Sequence, residues 1–393
     1  QITIVFTFFE KFNSQATVRK NDLAIIIEEN GIEIFYERLS LDVQKVTCYL
    51  SSCGVRSGDV VASQLPNGYI ALLTFLASTA IGVKYAPCAL DDPSTVDRLA
   101  RCIPVKYLVL LEPNNYLAEA GAQTIIIPQN IDGLQIENIT TTNSEQLSAS
   151  LYLLTSGSTG DPKIMSINCS TLWDSAEYFL SIYPTVNQKS RFWNYLPMNY
   201  LGGLFNLAII PIVAGASFVL SDGFDATASF RFWDVVKKHK VDTLWLVPSI
   251  ANLLLRLAER NNEVDNKSNG SQIKTAFIGT APVGAHLKTS LLEKFGIRAY
   301  ENFGLSETTF LTAEMPGSQI SDSSGKILDC IDYKLEPTSY EYDEAPTELF
   351  VKTPFLFEGY IDETSGSQLI SDPANYFATG DVAEVLNGEL LIL

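Results

Sequence analysis

Along the chain, the spacing of apolar positions switches repeatedly between a period of two and a period near three and a half. LAIIIEENGIEIFYERL carries two apolar runs around Asn30-Gly31, a dipeptide that supplies the positive φ angles of a hairpin, so the chain is expected to open with β structure. Leu39, Val43, Val46 and Leu50 recur at helical spacing, with Ser40 as the expected cap and Gly54 as the stop. DVVAS reads as a strand, about Asn67 to Ile81 as a helix closed by Gly82, and KYLVLL and TIIIP as further strands separated by a helical or irregular piece. The polar stretch from about Asn130 to Ser148 reads as a seam. Beyond it the alternation resumes with LYLLT, a helix around Leu172 to Ile182, TLWLV, the helix SIANLLLRLAER, TAFIG and a helix from about Ala285 to Phe295. Asn261 to Gln272 is poor in apolar residues and reads as a mobile surface loop. From about Gly317 helical periodicity is lost, and KILDCIDYKLE, TELFVKT and GELLIL read as short strands. There are no internal repeats. The expected architecture is α/β, with two layered lobes at 1–145 and 146–316 and a small β-rich subdomain at 317–393.

The apolar content needs one check against a membrane. Phe192 to Ser221 runs 30 residues without a charge, longer than the ~20 that a spanning helix requires. Asn194, Asn199, Asn206, Pro197, Pro211 and three glycines interrupt it, and no basic cluster flanks it, so a buried helix followed by a buried strand fits better. The start, QITIVFTFFEKF, lacks the layout of a secretory signal, and without an initiator Met it reads as a processed or trimmed end.

Composition narrows the classes further. With 393 residues, 46% of them hydrophobic, the chain has enough apolar residues for two or three packed lobes. Its 27 basic and 45 acidic residues give a net charge of −18, which argues against nucleic acid or an anionic membrane as partner. Six scattered cysteines without a CxxC pair read as reduced thiols of a cytoplasmic protein. With only His239 and His286 available, a zinc site or a Ser/His/Asp triad has no supporting motif.

The candidate chemistry begins at Thr155-Ser156-Gly157-Ser158-Thr159-Gly160-Asp161-Pro162-Lys163, directly after the strand LYLL. Two glycines free the backbone to turn its N–H groups inward, four hydroxyls can bond phosphate oxygens, and Lys163 adds a positive charge. An isolated SGSTG would ordinarily be a flexible turn. The spacing is not that of the GxxxxGK[ST] loop, because Asp161-Pro162 separates the last glycine from the lysine and no Ser or Thr follows it, which sets aside a P-loop kinase or GTPase.

TSGSTGDPK matches every specified position of the pattern [ST]-S-G-[ST]-T-G-x-P-K, ENFGLSETT at 301–309 follows Y-G-x-[ST]-E with Phe303 in the Tyr position, and Ala378-Thr379-Gly380-Asp381 supplies a T-G-D. GVRSGDVVASQLPN, YLPMNYLGGL at 195–204, GTAP at 279–282 and TELFVKTPFLFEGYI at 347–361 agree more weakly, in the same order. On these motifs the chain resembles the adenylate-forming superfamily of acyl- and aryl-CoA synthetases, luciferase-like enzymes and nonribosomal adenylation domains. The resemblance runs from about residue 22 to the end and implies that superfamily's large N-terminal core, with the β-rich part as a distorted barrel.

The resemblance also implies roles. ATP would be held by Thr155, Ser156, Gly157, Ser158, Thr159, Gly160 and Lys163, by Gly279, Thr280 and Ala281, and by Glu301, Asn302, Phe303, Gly304, Ser306 and Asp381. Lys163, Ser306 and Glu307 would be the catalytic set, Ser306 at the α-phosphate and Glu307 as the ligand of Mg2+. Without the motif, Glu307 would read as an exposed charge near a helix start, Phe303 as core packing and Asp381 as a turn residue. Phe303 offers a flat apolar face to adenine, and Asp381 can accept from both ribose hydroxyls. Tyr200, Gly202, Gly203, Gly279 and Thr280 would line the acid pocket. Tyr200 stands near the position where relatives carry a gating His, and no Asp suited to a substrate ammonium stands beside Pro197, which favours an acyl or aryl acid over an α-amino acid.

The implied reaction is attack of a carboxylate on the α-phosphorus of ATP with loss of pyrophosphate, followed by transfer to the thiol of CoA or of a phosphopantetheinyl carrier protein. Relatives continue past T-G-D into a hinge and a small domain with a catalytic lysine. This sequence ends at GELLIL, so the expectation is a core that binds ATP or adenylate better than it turns over. A protein that holds nucleotide or acyl-adenylate without catalysis is the competing reading.

Overall fold

The computed structural model describes residues 6–113, 121–136, 148–155, 163–260, 267–281, 283–338, 346–362, 364–372 and 374–393. It begins with a helix, Phe8–Val18, where β structure was expected. Thr7 and Glu10 explain the difference. The Thr7 N–H donates to the Glu10 carboxylate at 2.7 Å and the Glu10 N–H to Thr7 Oγ1 at 3.3 Å, a capping box. Phe8, Phe12 and Ala16 then fall on one buried face, at a spacing of four. The next helix, Tyr36–Ser52, starts ahead of the expected Ser40 cap, directly out of the strand Glu33–Phe35.

Contacts group the chain into two units, each assembled from three stretches: 1–174, 194–223 and 357–371 in the first, and 175–193, 224–356 and 372–393 in the second. The expected divisions near 145 and 316 are contiguous, whereas these units are not. In the first unit, Gln123–Ile126, Tyr107–Leu110, Val60–Gln64, Lys84–Cys88 and Ser150–Thr155 lie side by side as parallel strands. Lys163–Asn168 then folds back antiparallel, with Ser150 opposite Asn168 and Thr155 opposite Lys163. Gly359–Ile361 and Gln368–Ile370 extend the same sheet, so residues expected in the β-rich subdomain complete a different sheet. A second group pairs Ser217–Leu220, Leu23–Ile27 and Glu33–Phe35. The uncharged run contains the helical segments Leu201–Leu204 and Ile210–Ala214 around a π turn at Phe205–Ile209, followed by the strand Ser217–Leu220, as its pattern predicts. Among the described residues, no helix is long and apolar enough to cross a membrane.

In the second unit Thr243–Leu246, Thr275–Ile278 and Ala299–Leu305 are parallel. Antiparallel strands follow: Thr309–Ala313, Lys326–Ile327, Glu389–Ile392, Phe377–Leu386, Thr347–Lys352 and Asp332–Pro337. Helices Pro248–Arg260 and Ala285–Phe295 occupy the positions read from periodicity. Phe179 packs within 5.3 Å, ring centre to centre, of Tyr183, Trp245, Phe277 and Phe310. This aromatic core underlies the strand ends where the motif residues collect. Of the expected surface loop, residues 261–266 lie outside the described set; in the described remainder Lys267–Gly270 is helical, Asn269 is buried against Lys237, and Gln272 donates to the carbonyls of Val236 and Val241.

Candidate functional site

The ENFGLSETT motif forms a hairpin. Ala299–Leu305 pairs antiparallel with Thr309–Ala313, Leu305 opposite Thr309 and Gly304 opposite Phe310. A Cβ at Gly304 would lie 1.8 Å from the Thr309 carbonyl oxygen, so these strands close only over glycine. The turn is tied by the Leu305 N–H donating to Thr308 Oγ1 at 3.3 Å and the Thr308 N–H donating to the Leu305 carbonyl at 3.2 Å. Thr309 adopts φ 54°, and its hydroxyl meets that of Ser175 at 2.7 Å. Ser306 and Glu307 occupy this turn, with Glu307 only 8% exposed. Taken without its motif, Glu307 reads as an exposed charge near a helix start. It is instead a buried carboxylate in a strand-to-strand turn.

Asp381, on the strand Phe377–Leu386, belongs to the same unit. Its carboxyl is raised above the usual range, first by burial and then by the charges of Glu307 and Glu348, while a hydrogen bond to Thr379 opposes the rise. Glu307 and Asp381 are therefore within electrostatic reach of each other. Asp381 Oδ2 is buried with no hydrogen-bond partner among the described residues. An acceptor left in that state destabilises the fold until a donor or cation arrives. Among the described residues, no three His, Cys, Asp or Glu side chains gather as a metal site. One or two carboxylates suit a hard ion that takes its other oxygens from phosphate and water, so the donor set fits Mg2+.

Asn302 and Phe303 stand just before the turn. Asn302 is buried. Its Nδ2 donates to the Tyr183 hydroxyl at 3.2 Å, and its Oδ1 has no partner among the described residues. The Phe303 N–H donates to Thr312 Oγ1 at 3.2 Å. The expected loop Gly279–Ala281 follows the strand Thr275–Ile278, and a Cβ at Gly279 would lie 2.7 Å from the Asn302 carbonyl. Thr280 adopts φ 71°, a strain of ~1–3 kcal/mol for a β-branched residue. Glu301 has its side chain committed elsewhere, in an ion pair with Lys288 at 2.8 Å.

The remaining candidates lie in the first unit. Thr155 Oγ1 donates to the Lys163 carbonyl at 3.4 Å, and the exposed Lys163 ammonium sits 5.1 Å from the centre of the Tyr360 ring. Ser156, Gly157, Ser158, Thr159 and Gly160 lie outside the described residues. Tyr200 borders a cavity of about 450 Å3 whose walls include Leu65, Phe75, Tyr85, Pro87 and Leu204; Asp91 is its only charged wall residue among those described. Cβ atoms at Gly202 and Gly203 would stand 2.3 Å from the Tyr200 ring and 2.0 Å from the Pro197 carbonyl, which explains the glycine pair by close approach. Burial pushes the Tyr200 hydroxyl up to about 12, so it stays neutral where a histidine would titrate.

The structure thus joins Asn302, Phe303, Gly304, Ser306, Glu307 and Asp381 with Gly279 and Thr280 in one unit, and Thr155, Lys163, Tyr200, Gly202 and Gly203 in the other. The sequence reading missed Tyr183, Lys288 and Glu314, which support the hairpin. One signal existed for Lys288: it falls on the buried face of its helix with Leu291 and Phe295.

The chain matches the AMP-binding enzyme family over residues 12–361. A probable CoA ligase of Humulus lupulus is 21% identical over 392 residues, covering 92% of this chain and 70% of the relative. Enterobactin synthase component E of Escherichia coli (strain K12) is 21% identical over 400 residues, covering 92% and 71%. The crystal structure of ATP-bound MatB from Rhodopseudomonas palustris superposes with a TM-score of 0.84 at 21% identity, over 98% of this chain and 78% of that one. At that identity the likeness speaks for the fold.

Proposed function

Because this chain belongs to the AMP-binding enzyme family, we propose that it activates a carboxylic acid with ATP and passes the acyl group to a thiol, on CoA or on a phosphopantetheinyl carrier. The observation that carries the reading is Asp381 Oδ2, buried beside Glu307 and without a partner among the described residues, in the unit that also holds Asn302 and Phe303. A ribose hydroxyl would donate to Asp381, and adenine would lie on Phe303 with its edge at Asn302. In the first step a carboxylate oxygen of the acid bonds the α-phosphorus, the bond to the bridging oxygen breaks, and pyrophosphate leaves with that electron pair. Ser306, Lys163 and the hydroxyls of the 155–160 segment are assigned to the phosphates, where positioning and charge stabilisation do most of the work. Glu307 would hold Mg2+, which when bound supplies positive charge to the phosphate oxygens. Its repulsion of Asp381 is the kind of strain a cation relieves. With a net charge of −18, ATP must be attracted by this local site and not by the overall field.

We assign Tyr200, Gly202 and Gly203, with Gly279 and Thr280, to recognition of the acid. A neutral Tyr200, and the lack of an Asp beside Pro197, support an acyl or aryl acid over an α-amino acid. No disulfide joins any of the six cysteines, which fits a reducing, cytoplasmic setting. The test is exchange of labelled pyrophosphate into ATP over a panel of acyl, aryl and amino acids. Exchange that requires one of these acids is expected. ATP binding without exchange for any acid would refute the enzyme reading.

A further inference from the structure

Tyr183 is 1% exposed and makes two hydrogen bonds of opposite sense. Its hydroxyl donates to the Glu314 carbonyl at 2.6 Å and accepts from Asn302 Nδ2 at 3.2 Å. A phenol has one proton, and here the carbonyl takes it, because a carbonyl can only accept. The hydroxyl can then offer Asn302 nothing but a lone pair. That requirement settles which way round the Asn302 amide sits: the NH2 faces Tyr183, and Oδ1 is the atom left over, buried and without a partner among the described residues.

Glu314, whose carbonyl receives the proton, is itself held through its carboxylate and its N–H. The Lys288 ammonium, wholly buried, bonds Glu301 Oε2 at 2.8 Å, Glu314 Oε1 at 3.0 Å and the Ser323 carbonyl at 3.2 Å. Glu314 Oε2 accepts from the Glu301 N–H at 2.7 Å and from Arg298 Nη1 at 3.1 Å, and the Glu314 N–H donates to the Glu301 carbonyl at 2.9 Å. Two cations therefore balance two carboxylates behind Tyr183, and every bond but the one to Ser323 constrains Glu301 or Glu314. Burial also raises the Tyr183 hydroxyl far above the usual phenol range, so its proton stays in place.

We propose that Tyr183 is a specificity-determining positioning residue: by committing its proton to Glu314, it forces Asn302 to present a lone acceptor to the nucleotide base. The site would then favour a base that carries an amine donor at that edge, as adenine does, over one that carries a carbonyl there, as hypoxanthine does. Two facing acceptors leave a buried lone pair unsatisfied, and a site built to bond a donor rejects the analogue that lacks it. This rests on the reading above that Asn302 meets the base.

The experiment compares equilibrium binding of ATP and ITP, which differ at that edge, to the full chain and to Tyr183→Phe, with thermal melting of each. The unaltered protein is expected to prefer ATP by about tenfold or more. Tyr183→Phe frees the amide to turn over, and the preference is expected to fall most of the way to unity, chiefly through better ITP binding. A structural role alone would weaken both nucleotides together. Equal affinities in the unaltered protein, or a full preference kept in Tyr183→Phe, overturn the proposal. Should Tyr183→Phe fail to fold, Asn302→Ala removes the same acceptor, and an unchanged preference there overturns it equally. If ATP is not bound at all, the nucleotide reading itself falls, and this inference falls with it.

Discussion

Lys163 and Lys288 are both tied to the proposed nucleotide chemistry, yet they sit in opposite surroundings. Lys163 begins the strand Lys163–Asn168 in the first unit, exposed, over the ring of Tyr360. Lys288 is sealed in the second unit between Glu301 and Glu314. The exposed lysine keeps its hydration and its freedom, so its charge is available to a ligand. The buried one has spent all its bonds on the protein and acts only by holding other groups in place. The contrast teaches that an exposed cation such as Lys163 is free to meet a ligand, the role proposed for it, while the buried Lys288 serves the frame.

Substituting each lysine should separate these roles. Lys288→Met leaves two buried carboxylates short of a partner and is expected to lower stability by ~3–5 kcal/mol, read from denaturant midpoints. Lys163→Ala should reverse the balance: thermal stability unchanged, with acid-dependent pyrophosphate exchange reduced ~10²–10³-fold. A stability loss in Lys163→Ala would break the comparison. A smaller effect is expected at Asp381. Asp381→Asn should weaken ATP about tenfold by removing a charged acceptor. Because burial, Glu307 and Glu348 already disfavour its charge, the melting temperature should hold or rise.

The smallest effect is a pH slope. Burial lifts the Glu301 carboxyl from 4.5 to about 7, against the opposing pull of Lys288. The folded state therefore binds that proton more tightly than the unfolded chain, and this contribution to stability is full below about 4.5 and lost as pH rises through about 7. Denaturation midpoints between pH 5 and 8 should show the decline, and Glu301→Gln should flatten it.

Much of this was legible in the sequence, for identifiable reasons. The helices Cys169–Ile182, Pro248–Arg260 and Ala285–Phe295 carry long periodic patterns, and Gly82, at φ 82°, stops its helix as read. Lys163–Asn168 escaped because it is a six-residue strand leading straight into a helix, Asn168 both ending the strand and accepting from the Ser170 N–H at 2.9 Å. The helix Pro93–Cys102 escaped as well, though Asp92 caps it through the Ser94 N–H at 3.1 Å. In the site, motif positions could be named because they are contiguous. Tyr183 could not: its partners are 131 and 119 residues away, and only folding brings them together.

Glu307 tests the account most directly: the resemblance implies a ligand of Mg2+ there, and the structure buries this carboxylate within electrostatic reach of Asp381. The measurement is ATP affinity with and without Mg2+, for the unaltered protein and for Glu307→Gln. The account predicts that Mg2+ tightens ATP binding to the unaltered protein and that Glu307→Gln abolishes this Mg2+-dependent binding. Equal metal dependence in both proteins would contradict it.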